Sequence, residues 1–570
     1  MGSRPTGEGV TTIATTAGRR DRALRRDVGP LGLLFVSAGS IIGSGWLFGA
    51  LYASQQAGPA ALVSWGFGAL FVLVLALVHA ELGATYPVAG GTARFPHYSH
   101  GSTVGYANGW LWWVGAATVA PIEVEAALQY FTHYVHSLTK TSGGETVLTA
   151  QGYAVAVVLM ALFTIVNILG VRWLARANTP ITAWKIAIPV LAIVALMATR
   201  FHGGNFHAAG GFMPFGFHGV FSALATGGVI FAYQGFEQAV QLGGESANPH
   251  RNMPLAVIGS MVIGVVIYVL LQVAFLAALD SGNLSHGWGK LAFNGLVGPF
   301  AGLASAVGLG WLAILLYIDA AISPGGTGLL YTGTSARVSY ALARNGWWPR
   351  VLASLNDRGI PIWSMILSFV VGIVVFLPFP GWQKLVGFIT AASSLSYAMA
   401  CVAAASLRRQ DPDRERPFKL PGLAVLAPFG FVVANLIVYW SGWSTVWRID
   451  VALAIGLAVF LLHRVVGKSE ELPRLDLRGA AWIPPYIVGI SVITYAGRYD
   501  GRNWLPFWID IAVVAVFALA IFALAVALRL DPEAARGYIE DLDPTADELA
   551  EGRGARGREG RVRETVKPAA

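Results

Sequence analysis

Apolar runs dominate this chain between residues 31 and 529, and charged or turn-forming residues separate one run from the next. A run of about 20 apolar residues is long enough for a helix to cross the hydrocarbon core of a bilayer. The pattern therefore predicts an all-α polytopic membrane protein with about fourteen spans. In chain order, the predicted spans are 31–53, 59–84, 104–135, 151–170, 176–199, 219–243, 254–279, 297–325, 362–379, 383–407, 422–442, 449–466, 480–497 and 506–529.

Glycine-rich interruptions occur inside two of these spans. Span 1 contains GSIIGSGWLFG, from Gly39 to Gly49, and span 6 contains FAYQGFE, from Phe231 to Glu237. Peptide groups that a break frees need partners in hydrocarbon, so breaks persist where they line a cavity or touch a ligand. Paired breaks in corresponding halves of a chain are typical of the binding sites of secondary transporters. The pattern therefore predicts a transport function.

Composition narrows the class of protein further. Charged residues make up 12% of the chain and apolar residues 55%, with a mean hydropathy of +0.59. These values exclude an ordinary soluble domain. The single cysteine, Cys401, excludes a disulfide framework and a thiolate metal site, and no metal or cofactor is predicted. The sequence has no HExxH motif and no nucleophile elbow, so we do not expect an enzyme.

The distribution of basic residues predicts the orientation of the chain. With the amino terminus in the cytoplasm, seven of the 39 basic residues fall in outer loops or at the outer ends of spans, and one, Lys185, lies deep within a span. The remainder lie on the inner side, as the positive-inside rule requires. We therefore predict a plasma-membrane protein with both termini cytoplasmic, and the net charge of +8 needs no nucleic acid to explain it. The seven outer residues are Lys140, Arg200, Lys290, Lys384, Arg448, Arg498 and Arg502.

Six motifs in a fixed order connect the chain to a known family. They are GSIIGSGWLFG in span 1, Glu81-Leu82 with Tyr86-Pro87 and Gly90-Gly91 after span 2, Pro121-Ile122-Glu123 in span 3, FAYQGFE in span 6, the Glu245–Pro254 segment, and Ser335-Ala336-Arg337 with Leu342–Pro349 after span 8. In this order and spacing, the chain resembles the amino acid permeases of the amino acid–polyamine–organocation (APC) superfamily. The YSHG segment after span 2 and the AISPGGTG run in span 8 are similar to bacterial aspartate–proton symporters.

The resemblance implies a LeuT-like fold in which spans 1–5 and 6–10 form two inverted repeats. Together with the composition of the tails and the distribution of basic residues, it divides the chain into a cytoplasmic amino-terminal tail (1–28), a ten-span transporter core (29–410), four additional spans (411–530) and a disordered cytoplasmic tail (531–570). Substrate is then expected between the broken spans 1 and 6. Twelve spans are the commoner number in the family, so the role of the extra pair is open.

The break in span 1 offers backbone N–H groups. Gly43, Ser44 and Gly45 can expose successive donors at the positive end of a half-helix, which suits a carboxylate. The resemblance assigns this site, together with Ser40, to the α-carboxylate of an amino acid. The alternative is that these small residues serve close helix packing.

The break in span 6 offers backbone carbonyls. The resemblance assigns the carbonyls near Phe231, Ala232 and Gly235 to the substrate's α-ammonium, and Phe231 to an aromatic that closes over the substrate. Ordinary packing is the alternative for Phe231. Glu237 follows the break, and a carboxylate in mid-membrane is costly unless it is paired or protonated. We therefore predict a role in proton coupling for Glu237, with a structural hydrogen bond as the alternative.

Lys185 is a second candidate for proton coupling. Burial disfavours the charged form of an amine, so a lysine within a span can exchange protons. In proton-coupled relatives, a lysine in span 5 stands where sodium-coupled relatives bind a cation, which favours protons over sodium here. The alternative is a lysine that extends to the headgroups.

Acidic residues in spans 3 and 8 complete the candidates. Glu123 and Glu125 point about 200° apart on a helix, so one cavity cannot take both. The family motif selects Glu123 as the inward carboxylate and leaves the role of Glu125 open. Asp319 in span 8 is a further buried carboxylate, for which pairing with Lys185 is a weaker hypothesis.

The sequence thus predicts a secondary transporter that imports an amino acid, neutral or acidic with aspartate as one candidate, by proton symport through alternating access. An amino acid exchanger is the first alternative, and a permease-like sensor is the second. The expected partners are an amino acid, a proton and the lipid bilayer. The oligomeric state stays open.

Overall fold

The computed structural model describes residues 28–88, 90–142, 145–169, 171–291, 298–356, 359–377, 381–467 and 472–541. The predicted amino-terminal tail therefore lies outside the described residues apart from Val28. The described residues form 21 α-helices: α1 (Pro30–Ile41), α2 (Gly45–Ala57), α3 (Ala61–Thr85), α4 (Gly91–His100), α5 (Ser102–Phe131), α6 (Ala150–Leu169), α7 (Val171–Thr199), α8 (Gly216–Ala225), α9 (Val229–Tyr233), α10 (Gln238–Gln241), α11 (Pro249–Ala278), α12 (Pro299–Ala306), α13 (Gly310–Arg344), α14 (Ile362–Val375), α15 (Trp382–Gln410), α16 (Leu423–Trp440), α17 (Trp443–Val466), α18 (Leu477–Ala480), α19 (Ile483–Ala496), α20 (Phe507–Ala527) and α21 (Pro532–Asp541). A hairpin of β1 (Thr139–Ser142) and β2 (Glu145–Leu148) connects α5 to α6.

The helices confirm an all-α polytopic membrane protein. Within the described residues, eleven helical segments are long and apolar enough to cross a membrane, and α1, α8 and α14 are shorter apolar helices. Each predicted span contains an apolar helix, and the segment Gly45–Thr85 runs from the second half of span 1 through span 2. Span 8 differs in register: its predicted first part is the separate helix α12, and the span itself is α13. Gly308, with φ of +83°, lies between the two helices and allows the chain to turn there.

Exposed apolar stripes mark the surface that faces lipid. On α6, Val158, Leu162, Ile165 and Leu169 recur at helical spacing and are each more than half exposed. Water would not stabilise such a stripe, whereas hydrocarbon does. By contrast, the most apolar stretch of α15 is completely buried, so this helix lies inside the bundle.

A few closely packed pairs of helices form the centre of the bundle. Helix α5 packs along α13, α3 packs along α11, and α1 lies against α7 and α11. The four additional spans adjoin this group at α15, which contacts both α16 and α17. The inverted-repeat relation between the two halves stays a prediction.

Two helices on the connecting segments were not predicted from the apolar pattern. Helix α4 links spans 2 and 3, and α21 occupies the start of the predicted disordered tail, of which residues 542–570 lie outside the described residues. The two helices pack together: the Tyr538 ring lies 4.5 Å from the His97 ring, and its hydroxyl donates to Asp476 at 2.8 Å. These contacts explain why residues 532–541 are helical although their composition is polar.

Candidate functional site

The breaks in spans 1 and 6 are in direct contact. Span 1 is interrupted between α1 and α2, and span 6 is interrupted between α9 and α10 and also between α8 and α9. Gly235 has φ of +120°, and a Cβ there would lie 2.7 Å from the backbone nitrogen of Ile41. A Cβ on Gly45 would lie 3.0 Å from the Cα of Ala232. Only glycine permits this approach of the two backbones.

Hydrogen bonds from side chains hold the broken ends together. The Ser37 hydroxyl donates to the Phe236 carbonyl at 3.0 Å and accepts from the Ala239 N–H at 3.0 Å. The Tyr268 hydroxyl donates to the Ile41 carbonyl at 2.7 Å. These bonds satisfy backbone groups that the breaks remove from helical pairing, as hydrocarbon requires.

A narrow cavity lies where the breaks meet. It has about 20 Å³ of space open to the centre of a water molecule, which is enough to hold a water. Of the residues predicted to bind substrate, Ser40, Gly43, Gly45 and Phe231 line the cavity. An amino acid is larger than this space, so its entry requires the surrounding side chains to move apart.

The other three predicted binding residues lie beside the cavity and shape its wall. Ala232 contacts Gly45, and Gly235 contacts Ser40. The Ser44 hydroxyl accepts a hydrogen bond from the Trp382 indole N–H at 3.0 Å. The structure thus brings all seven predicted residues of spans 1 and 6 to one place.

Glu123 reaches the break in span 1 from span 3. Its Oε2 accepts a hydrogen bond from the Ser44 N–H at 2.8 Å, while its Oε1 has no partner among the described residues. A Cβ on Gly43 would lie 2.6 Å from Oε1. The protein's own carboxylate therefore uses one of the N–H groups that the sequence assigns to a substrate carboxylate. Glu125 is also buried but does not line the cavity.

Lys185 contacts the other side of the same break. Its amine donates to the Gly39 carbonyl, near the end of α1, and to the Thr327 hydroxyl at 2.7 Å. The negative end of a half-helix is a favourable position for a cation. Lys185 is 1% exposed, so its amine does not reach the headgroups, and it does not line the cavity. Its charge interacts with both Glu123 and Asp319.

Glu237 lines the cavity from span 6. Its Oε2 accepts from the Gly235 N–H at 2.9 Å, and its Oε1 accepts from the Tyr331 hydroxyl at 3.1 Å. Glu237 therefore makes structural hydrogen bonds, which the sequence offers as the alternative to proton coupling. It also lines the cavity, where a proton-coupling carboxylate is expected.

Sequence reasoning missed several residues of the site. Thr327 and Tyr331 of span 8 were overlooked, although Thr327 lies in the glycine-rich AISPGGTG run. Trp382 of span 10 was also overlooked; its ring packs 5.9 Å from Phe231 in an edge-on arrangement. Gln234, within the span 6 break, and Ser393 line the cavity as well. The glycine run was the available signal for Thr327, while nothing local distinguishes Trp382 or Ser393.

Comparison with known proteins agrees with this architecture. The family model described as "Amino acid permease" matches residues 28–460. The chain is 36% identical over 535 residues to the glutamate/serine transporter AimA of Bacillus subtilis (strain 168), covering 93% of this chain and 98% of that protein. It is 37% identical over 510 residues to an aspartate-proton symporter of the same organism, and the match covers 89% of this chain and 97% of that protein. A branched-chain amino acid permease, BcaP, is 27% identical over 465 residues, covering 79% and 95%.

Proposed function

This chain belongs to the amino acid permease family, and we propose that it imports an amino acid together with a proton by alternating access across the plasma membrane. The observation that carries the proposal is the contact between two broken spans around a cavity lined by Glu123 and Glu237. The residues proposed to bind the substrate and the carboxylates proposed to bind the proton therefore line the same cavity. We also propose that both termini are cytoplasmic, which the asymmetry of basic residues supports.

The geometry supports a direct coupling between proton and substrate at Glu123. When ionised, its carboxylate holds the Ser44 N–H and presents a negative charge to the cavity. Protonation removes that charge and weakens the hydrogen bond, because a neutral carboxyl oxygen is a poorer acceptor. The Ser44 N–H and the first N–H groups of α2 then become available to the substrate's α-carboxylate. Proton binding thus favours substrate binding, and by linkage substrate favours the proton.

Lys185 supports protons rather than sodium as the coupling ion. Its amine fills the space between the Gly39 carbonyl and Thr327, where a bound cation would otherwise contact the broken span. The amine also interacts with Glu123, so a proton on one group affects the other. We therefore assign Lys185 and Glu123 to one proton-binding unit.

The lining of the cavity favours a small neutral amino acid. Gly115 and Ser393 line it from spans 3 and 10, and a Cβ on Gly115 would lie only 3.5 Å from the Ser393 hydroxyl. The described lining contains two carboxylates and no lysine or arginine. A second substrate carboxylate would lack the partner that a buried charge needs. The small residues of these walls and the absence of a cationic partner in the described lining favour a small neutral side chain such as that of serine.

An acidic substrate is the second candidate, because one similar relative is a glutamate/serine transporter and another is an aspartate-proton symporter. The decisive experiment is uptake of radiolabelled serine, glutamate and aspartate, in separate assays, into proteoliposomes with an inward proton gradient and no sodium. We expect serine to accumulate and an ionophore to abolish its accumulation. Accumulation of aspartate without serine would replace the neutral substrate with the acidic one.

Controls separate symport from exchange. Lys185→Ala should lose gradient-driven accumulation, whereas Lys140→Ala, in the exposed hairpin, should behave as the unmodified protein. Entry of label only into vesicles preloaded with amino acid would show an exchanger and contradict the coupling role of Lys185. Binding without any flux would show a sensor.

A further inference from the structure

Helix α13 carries a polar stripe through the bundle. Its polar residues recur at every fourth position and therefore lie along one face of the helix. They are Asp319, Ser323, Thr327 and Tyr331. All four side chains are at least 95% buried. Ionisable side chains inside a membrane bundle are costly, so Asp319 in this stripe calls for a functional explanation.

Asp319 is the member of this stripe whose burial the proposed coupling mechanism does not explain. Its Oδ1 accepts hydrogen bonds from the Trp184 indole N–H at 2.9 Å and from the Ser323 hydroxyl at 2.7 Å. Its Oδ2 is buried without a partner among the described residues. Both donors are neutral groups, and the proposed coupling through Glu123 does not use this carboxylate. The unpartnered oxygen is where a proton can reside.

The Lys185 amine packs against α13, the helix that carries Asp319. A Cβ on Gly326 would lie 3.6 Å from the Lys185 amine, so the amine lies against α13 beside the Thr327 turn. Its charge interacts with Asp319 as well as with Glu123. The Ser323 hydroxyl, one turn from Thr327 on the same face of α13, donates to Asp319 Oδ1.

The position of Asp319 along α13 gives the path a direction. Asp319 is about 14 Å from the beginning of α13 at Gly310, and Thr327 is about 12 Å deeper, at the helical rise per residue. The predicted orientation places the Gly310 end outside. The titratable side chains that interact with Asp319 from neighbouring helices are Lys185 on α7 and Tyr130 on α5.

We infer that Asp319 is the outer proton-transfer residue of this transporter and supplies, through Lys185, the proton that Glu123 binds. The Lys185 ammonium gives a proton, by way of the Thr327 hydroxyl that it contacts, to the Glu123 carboxylate and becomes a neutral amine. The amine then regains a proton from the protonated Asp319, relayed along the Ser323 and Thr327 hydroxyls on the same face of α13. The Asp319 carboxylate that remains is reprotonated from the outer side, so one proton has moved inward. This inference rests on the proposed symport.

The test compares gradient-driven accumulation with exchange, using the full-length protein in proteoliposomes and labelled serine. Asp319→Asn keeps an oxygen that accepts from Trp184 and Ser323 but cannot carry a proton. We expect it to lower accumulation driven by a proton gradient at least about tenfold. We expect counterflow exchange at equal pH to stay within about twofold of the unmodified protein, because exchange needs no net proton movement. A pH dye inside the vesicles should show the matching loss of proton entry with serine.

Asp510→Asn is the matched control. Asp510 in α20 is fully buried and accepts a hydrogen bond from the Tyr439 hydroxyl at 2.6 Å, but it belongs to the additional spans. This variant should leave accumulation and its dependence on external pH unchanged. Ser323→Ala is a second test of the path and should slow accumulation while exchange persists.

The outcomes are distinct. Exchange without gradient-driven accumulation by the unmodified protein would overturn the symport proposal itself and this inference with it. If the unmodified protein accumulates serine, unchanged accumulation and an unchanged pH profile in Asp319→Asn would overturn the role of Asp319 alone. Equal loss of exchange and accumulation in a monodisperse Asp319→Asn protein would show a structural residue and also overturn it. Should Asp319→Asn fail to fold, unchanged accumulation by Ser323→Ala would overturn the path.

Discussion

The Cα of Gly235 in span 6 lies so close to the backbone of Ile41 in span 1 that a Cβ on the glycine would be 2.7 Å from the Ile41 nitrogen. The two residues are almost 200 positions apart in the chain, yet Gly235 lies in the interruption of span 6 and Ile41 ends α1 at the interruption of span 1. Contact between the interruptions creates the cavity, since the freed backbone groups of both spans face the same space.

Gly235→Ala should therefore disrupt the site. The positive φ of +120° and the short contact with Ile41 both oppose a side chain. We expect destabilisation of about 1–3 kcal/mol and loss of serine uptake, measured by thermal unfolding in detergent and by transport. Gly66→Ala is the control, because nothing lies within 4 Å of a Cβ there. Normal uptake by Gly235→Ala would contradict the close contact.

Glu123→Gln should remove the pH dependence of substrate affinity. The amide mimics the protonated carboxyl, so the Ser44 N–H stays available to substrate at every pH. The affinity of the unmodified protein for serine should rise as the external pH falls, because protonation of Glu123 favours substrate. We expect the variant to hold the low-pH affinity throughout, as measured by binding at several pH values. A variant that keeps the full pH dependence would exclude Glu123 as the coupling carboxylate.

Thr327→Val should weaken coupling without changing shape. The change removes the hydroxyl that accepts from the Lys185 amine at 2.7 Å. We expect gradient-driven accumulation to fall roughly tenfold, the equivalent of losing one hydrogen bond to a charged group, while exchange persists. Thr332→Val is the matched control, since its hydroxyl bonds the Gly328 carbonyl of its own helix. Equal behaviour of the two variants would remove Thr327 from the coupling unit.

Gly115→Ala should narrow the substrate cavity. The new methyl group would lie 3.5 Å from the Ser393 hydroxyl, an ordinary contact that the fold tolerates. We expect the KM for serine to rise roughly tenfold with little change in thermal stability. Gly537→Ala, with open space around the new methyl group, should leave KM unchanged. An unaltered KM in Gly115→Ala would place the substrate side chain elsewhere.

His100 should make the protein less stable in mild acid. Burial lowers its pKa from 6.5 to about 4, although the hydrogen bond with the Ala525 carbonyl opposes this. The unfolded chain therefore binds a proton below about pH 6.5 that the folded protein does not, and stability falls as pH drops towards 4. The cost is on the order of 1–2 kcal/mol near pH 5.

Thermal unfolding between pH 7.5 and 4.5 measures this effect. His100→Gln should lose less stability as the pH falls, so its slope of stability against pH should be shallower. Burial lowers the pKa of His97 to about 3, and this second histidine maintains part of the slope. His136→Gln changes an exposed histidine and should keep the same slope of stability against pH as the unmodified protein. An identical slope in His100→Gln and the unmodified protein would contradict the buried neutral state of His100.

The fold was largely predictable because a bilayer allows few solutions. Hydrocarbon requires long apolar helices, and these can be read from local sequence, so each predicted span contains an apolar helical segment. The polar helices α4 and α21 could not be predicted in the same way. Contacts such as Tyr538 with Asp476 stabilise them, and these partners are distant in the chain.

The sequence by itself determined the two breaks and the lysine deep in span 5, since glycine runs and charges in apolar segments are local signals, and the family motif selected Glu123. Tertiary structure alone decided which groups meet. It brought the Glu123 carboxylate to the Ser44 N–H, the Lys185 amine to Thr327, and Asp319 to Trp184. These pairs join helices that are 79 to 142 residues apart. No local pattern encodes the depth and rotation of one helix relative to another, because packing across the whole bundle fixes both.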